Sequence, residues 1–159
     1  MTSTMEYEEA QVRELFERVD AVAEVARVIE GDHPGEAARL LTASRNALSQ
    51  ASPVRVPIAA RLLLVSDKTV RAWVNEGLLK PQSHRPRLLL DTERLHDVLQ
   101  FVRELRARGK DRDLLTNLWQ RLEDEALLDR DDLAESLEQA REDLATPAMT
   151  LEEERSTRQ

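Results

Sequence analysis

Between residues 66 and 87 the chain gathers side chains suited to holding anions. Ser66, Lys68, Thr69 and Arg71 lie close together, and Lys80, Arg85 and Arg87 follow in a basic stretch. An arginine guanidinium pairs bidentately with a phosphate or with the O6 and N7 edge of guanine, while a lysine ammonium acts as a point charge. One well-placed arginine–guanine pair discriminates against the wrong base by about 1–3 kcal/mol. The plain alternative for Lys68, Thr69 and Arg71 is an ordinary solvated helix face. Asn75, a residue type that reads adenine, stands at the far end of the same stretch and is expected to point away. His84 reads as a surface histidine.

Catalysis finds no comparable support. The chain has no cysteine, which excludes disulfides, thiolate metal sites and thiol nucleophiles. His33 and His96 are far apart, with no His-Glu-x-x-His or paired-carboxylate spacing nearby, and no glycine-rich phosphate loop is present. The expectation is a protein that is not an enzyme and carries neither cofactor nor metal.

The formal charge of −8 argues against a polyanion partner only on average. Residues 55–112 carry 13 Lys/Arg against 7 Asp/Glu, a net of +6, whereas residues 1–54 carry −5 and residues 113–159 carry −9. A phosphate senses charge within about 8–10 Å, so the middle segment attracts it while the flanks suppress indiscriminate binding.

The elements around these cations are mainly helical. Aromatics are 3% and glycines four in 159 residues, with Ala, Leu, Glu and Arg abundant. A first helix is expected from about Tyr7 to Ile29, with Val12, Leu15, Val19, Val22, Ala26 and Ile29 at three- and four-residue steps. Its stripe is read either as a coiled-coil seam or as packing against its own chain. The Gly31 to Gly35 loop ends it, and a shorter helix spans about Glu36 to Gln50. The near-copy of Ala37-Ala38-Arg39-Leu40-Leu41 at Ala59-Ala60-Arg61-Leu62-Leu63 is read as coincidence in so biased a composition.

In the basic segment Pro57 suits the first turn of a helix running through Leu63. After a break at Leu64-Val65-Ser66, a second helix is predicted from Asp67 to Glu76, capped by Ser66 and ended by Gly77. Val70, Trp73 and Val74 face its core side. Two short helices so joined, the second polar outside, form a helix-turn-helix pattern. Leu78-Leu79 and Leu88 to Leu90 are predicted as strands of a small basic hairpin, a wing, before a new helix starting at Asp91-Thr92-Glu93.

The run Ala59-Ala60-Arg61-Leu62-Leu63, Val65-Ser66, Thr69-Val70-Arg71-Ala72-Trp73, Glu76-Gly77-Leu78-Leu79 and Pro81 resembles the winged helix domains of MerR regulators and excisionases. Leu90-Asp91-Thr92-Glu93-Arg94-Leu95 through Leu105 extends the resemblance over about residues 56–109, a third of the chain. Leu64 departs from it, standing where glycine is usual. A left-handed conformation there costs a leucine about 1 kcal/mol or more, so a slightly different turn is expected. Arg85 and Arg87 replace the usual Gly-Tyr-Arg only approximately, and about 55 residues precede the domain.

The resemblance implies a winged helix-turn-helix core with N- and C-terminal helical extensions. The domains expected are a helical region at 1–52, the winged domain at 53–110, further helices at 111–145 and a disordered tail at 146–159. Apolar stripes at Leu114, Leu115, Leu118, Trp119 and Leu122, and at Leu133, Leu137, Ala140 and Leu144, fill the third of these. The function implied is sequence-specific binding of double-stranded DNA by a homodimeric transcriptional regulator, with Ser66, Lys68, Thr69, Arg71, Lys80, Arg85 and Arg87 as contacts. The acidic C-terminal stretch also resembles antitoxins, which bind a basic toxin and repress their own operon. Two alternatives stand beside this: an excisionase-like architectural DNA binder, and a helical scaffold whose interfaces are all with proteins. No apolar run reaches about 18 residues and no signal peptide is visible, so no membrane association and a cytoplasmic location are expected.

Overall fold

Ser3 opens the first helix through a reciprocal cap. Its side-chain oxygen accepts from the Glu6 N–H at 3.1 Å while Glu6 Oε2 accepts from the Ser3 N–H at 2.8 Å. The computed structural model describes residues 3–110, 112–126, 135 and 138. Helix α1 (Thr4–Ile29) folds back through a short loop onto α2 (Pro34–Ser49). Phe16, Val19 and Ala26 are the buried residues of α1, whereas Val12, Leu15, Val22 and Ile29 of the expected stripe are only half-buried. Phe16, outside that stripe, is sealed because it meets the ring of His96 edge-on at 5.0 Å.

A two-residue strand, β1 (Val54–Arg55), leads directly into α3 (Val56–Leu63), with Pro57 in the first turn as its sequence requires. Leu64 then takes the left-handed conformation, φ 57° and ψ 44°, and leaves its side chain 75% exposed. The expected adjustment of the turn does not occur; leucine absorbs the strain itself. Arg106 holds it there, donating from Nη1 to the Leu63 carbonyl at 2.6 Å and from Nη2 to the Leu64 carbonyl at 3.3 Å. Those carbonyls sit at the negative end of α3, where a cation is favourable. Leu64→Gly is expected to raise the thermal midpoint by a few degrees, since relief of ~1–2 kcal/mol of crowding exceeds the added chain entropy. A melting curve shifted downward would refute this.

Helix α4 (Asp67–Asn75) begins at Ser66, whose side-chain oxygen accepts from the Thr69 N–H at 3.1 Å. That bond contributes about 1 kcal/mol. The helix ends in a left-handed Gly77 at φ 83°, with Gly77 N–H bonded to Val74 O and Leu78 N–H to Trp73 O. The Leu79 N–H also reaches the Trp73 carbonyl, at 3.2 Å. This double closure is why Leu78 and Leu79 do not form the expected strand. Their donors are spent on the helix end, and their side chains are buried at 0% and 1% exposure.

The strands instead are β2 (Pro81–Ser83) and β3 (Leu89–Leu90), with Leu88 outside the second. The antiparallel sheet runs β1-β3-β2, Val54 opposite Leu90 on one side and Pro81 opposite Leu90 on the other. Asp91 donates its N–H to the Lys80 carbonyl and caps α5 (Thr92–Ala107) by accepting from the Arg94 N–H at 2.9 Å. Leu95, Val98, Leu99 and Val102 of α5, which packs on α3, are fully buried, as are Ile58, Leu63, Val70 and Leu90. The described residues are therefore mainly helical with a small three-stranded sheet.

The chain divides into two compact units, Met1–Leu118 and Trp119–Gln159. The stretches 1–52 and 53–110 thus fall in one unit, α2 packing on α5 and α3 on α4, α5 and β1. Residues 114–126 are helical, with Leu118 fully buried and Glu123, Asp124 and Glu125 exposed. The stripe expected at Leu133, Leu137, Ala140 and Leu144 and the tail from 146 lie outside the described residues. No helix among the described residues is long and apolar enough to cross a membrane.

Candidate nucleic-acid interface

Helix α4 has two unlike sides. Val70 and Trp73 are buried at 0% and 4% exposure, fixing the inner side against the core. Lys68, Arg71, Ala72 and Asn75 are exposed and follow one another at three-, one- and three-residue steps, which places them on a single outward row. Asn75 therefore shares the face of Lys68 and Arg71 instead of pointing away. The step of seven from Lys68 to Asn75 was the signal available in the sequence. Thr69 is half-buried, and its hydroxyl lies 2.9 Å from Ser66 Oγ, so both hydroxyls are engaged in the cap. Ser66 and Thr69 position the helix more than they face outward.

The β2–β3 hairpin supplies the second group of cations. Lys80 precedes β2, and His84, Arg85, Pro86 and Arg87 are all exposed in the connecting loop. Ser83 Oγ donates to the Arg85 carbonyl at 2.9 Å and shapes the entry into that loop. Lys80 lines a shallow cleft with Val74 and Gly77 at the end of α4. Arg87 instead lines a groove with Tyr7, Val12 and Leu15 of α1. The seven expected contacts thus fall into three places: the α4 row with its cap, the cleft at the end of α4, and the hairpin loop.

The cations of the basic segment split by use. Arg55 forms a two-point pair with Glu8, Nε to Oε2 at 2.8 Å and Nη2 to Oε1 at 3.1 Å, and Arg61 pairs with Glu9 at 2.8 Å. Arg94 Nε donates to the Leu78 carbonyl at 2.8 Å, Arg106 clamps the Leu64 turn, and Arg103 lies 3.6 Å from Asp20. Lys68, Arg71, Lys80, Arg85 and Arg87 make no side-chain hydrogen bond or ion pair with any of the described residues. The cations on the α4 row and on the hairpin are thus all unpaired among the described residues.

Arg61, together with Arg13, holds the Glu9 carboxyl below the usual glutamate range near 4.5. A depressed folded value adds stability that is complete above the unfolded value and is lost as pH falls through the folded one. Acid denaturation followed by circular dichroism should therefore show a shallower loss below about pH 4.5 in Glu9→Gln than in the parent; parallel curves would refute it.

Asp20 was not singled out by sequence, yet it ties α1 to α5. Its Oδ1 is 2.8 Å from His96 Nε2 and accepts from Gln100 Nε2 at 2.8 Å. The His-to-carboxylate separation of 76 positions leaves no local pattern to read. Among the described residues no cluster of three or more His, Asp or Glu is arranged to hold a metal ion. No protein-family model matches this chain, and neither does any curated protein or solved structure.

Proposed function

We propose that the chain binds double-stranded DNA in a sequence-specific manner as a winged helix-turn-helix protein, with α3 and α4 as the helix pair and the β2–β3 hairpin as the wing. The observation that carries this reading is the outward row of α4, whose Lys68 and Arg71 are exposed and unpaired beside Ala72 and Asn75. Helix α4 has nine residues, and an α-helix with its side chains is about 10–12 Å across, a width that the major groove of about 12 Å admits. Arg71 would read guanine, Asn75 adenine, and the Ala72 methyl leaves room for close approach to base edges. Lys80, Arg85 and Arg87 would then hold phosphate and set the register of the helix. Two copies on a two-fold site follow if the chain acts as a dimer.

The test is a gel-shift titration across salt, comparing the duplex upstream of the coding region with a scrambled one. Affinity should fall with salt, and Lys80→Ala should weaken both duplexes alike while flattening the logarithmic slope by about 0.9. Binding that ignores salt, or no binding at low salt, sinks the reading.

A further inference from the structure

We propose that the groove between α1 and the β1–β3 side of the sheet binds a small amphipathic monoanion, an apolar body carrying one carboxylate. The groove holds about 560 Å³, inside the ~300–1,000 Å³ typical of small-molecule sites. Its wall is largely apolar, with Val12 and Leu15 from α1 facing Val54, Ile58 and Leu89. The half-burial of Val12 and Leu15, which departs from a sealed helix stripe, is explained by this opening.

The charge in the groove specifies the ligand's sign. Three charged residues line it: Glu8, Arg55 and Arg87. Glu8 and Arg55 neutralise one another through their two contacts at 2.8 and 3.1 Å. Arg87 remains, with no partner among the described residues. An apolar body is drawn in by the wall, and one carboxylate completes the guanidinium, a charge-assisted pair of the strong kind. Neutral apolar molecules leave Arg87 unanswered, and dianions bring a second charge that nothing in the wall matches.

Arg87 also belongs to the hairpin loop that the proposed function sets against phosphate. Ligand and duplex then compete for one guanidinium, each weakening the other by the same factor. This consequence rests on the DNA-binding reading, whereas the groove itself does not.

Isothermal titration of the full chain with 4-phenylbutanoate and with neutral 4-phenylbutan-1-ol tests the site in the absence of DNA. The acid should bind at least about tenfold tighter than the alcohol, a ratio that Arg87→Ala erases. Leu15→Glu should abolish uptake of the acid while the melting curve is retained; if that variant melts early, the substitution at exposed Arg87 decides the matter alone. Equal affinity for acid and alcohol, an unchanged acid affinity in Arg87→Ala, or no heat at millimolar ligand overturns the proposal. A chain that takes up the acid but no duplex supports the groove and refutes only the DNA reading.

Discussion

Trp73→Ala is expected to remove about 3–5 kcal/mol of folding stability, the largest loss of any single change considered. The side chain is 4% exposed on the inner side of α4, and the total available to a domain is only about 5–15 kcal/mol. The Trp73 carbonyl still accepts from Leu78 and Leu79 in the variant, because an alanine keeps the backbone. The loss is thus one of packing, and Trp73→Phe should recover a large part of it. A fall in thermal midpoint on the order of 10 °C or more is the expected reading by circular dichroism. A loss below about 1 kcal/mol, typical of surface sites, would mean that α4 does not lean on this residue.

On the proposed DNA-binding reading, Arg71→Ala is expected to lower affinity for the preferred duplex by roughly tenfold to a hundredfold, the equivalent of one lost bidentate base contact. The scrambled duplex should lose far less, so the ratio between the two collapses. Because Arg71 is exposed and unpaired, its removal leaves the melting curve in place. That separates it from Trp73→Ala, where binding fails only because the helix does. Equal losses on both duplexes would demote Arg71 from base reading to phosphate holding.

What was legible in the sequence is what depends on near neighbours. Ser66, Gly77 and Asp91 mark helix ends correctly because a cap is made within a few positions. The inner side of α4 follows from Val70 and Trp73 for the same reason. Strand β1 was not legible, since two residues cannot display an alternation. Leu78-Leu79 misled because an apolar pair reads alike in a strand and in a helix-closing turn; the difference lies in where two N–H groups point.

The cations show the limit most clearly. Composition counts Arg55, Arg61, Arg94 and Arg106 with the rest of the basic segment. Their partners lie 47, 52, 16 and 43 positions away, so nothing local reveals that they are engaged. The excess of positive charge in the segment was real, but only part of it is free to meet a polyanion.

The Arg106 clamp has a bearing on how the molecule comes to be made. Chain growth delivers α3, Leu64 and α4 from the ribosome well ahead of Arg106, whose guanidinium closes the turn from 43 positions downstream. Until then the left-handed leucine lacks that brace, and a nascent chain ending short of α5 holds α3 through β1, α4 and the Arg61–Glu9 pair without the support of α5. The brace on the turn behind the outward face is therefore added late in biosynthesis, once residue 106 has been made.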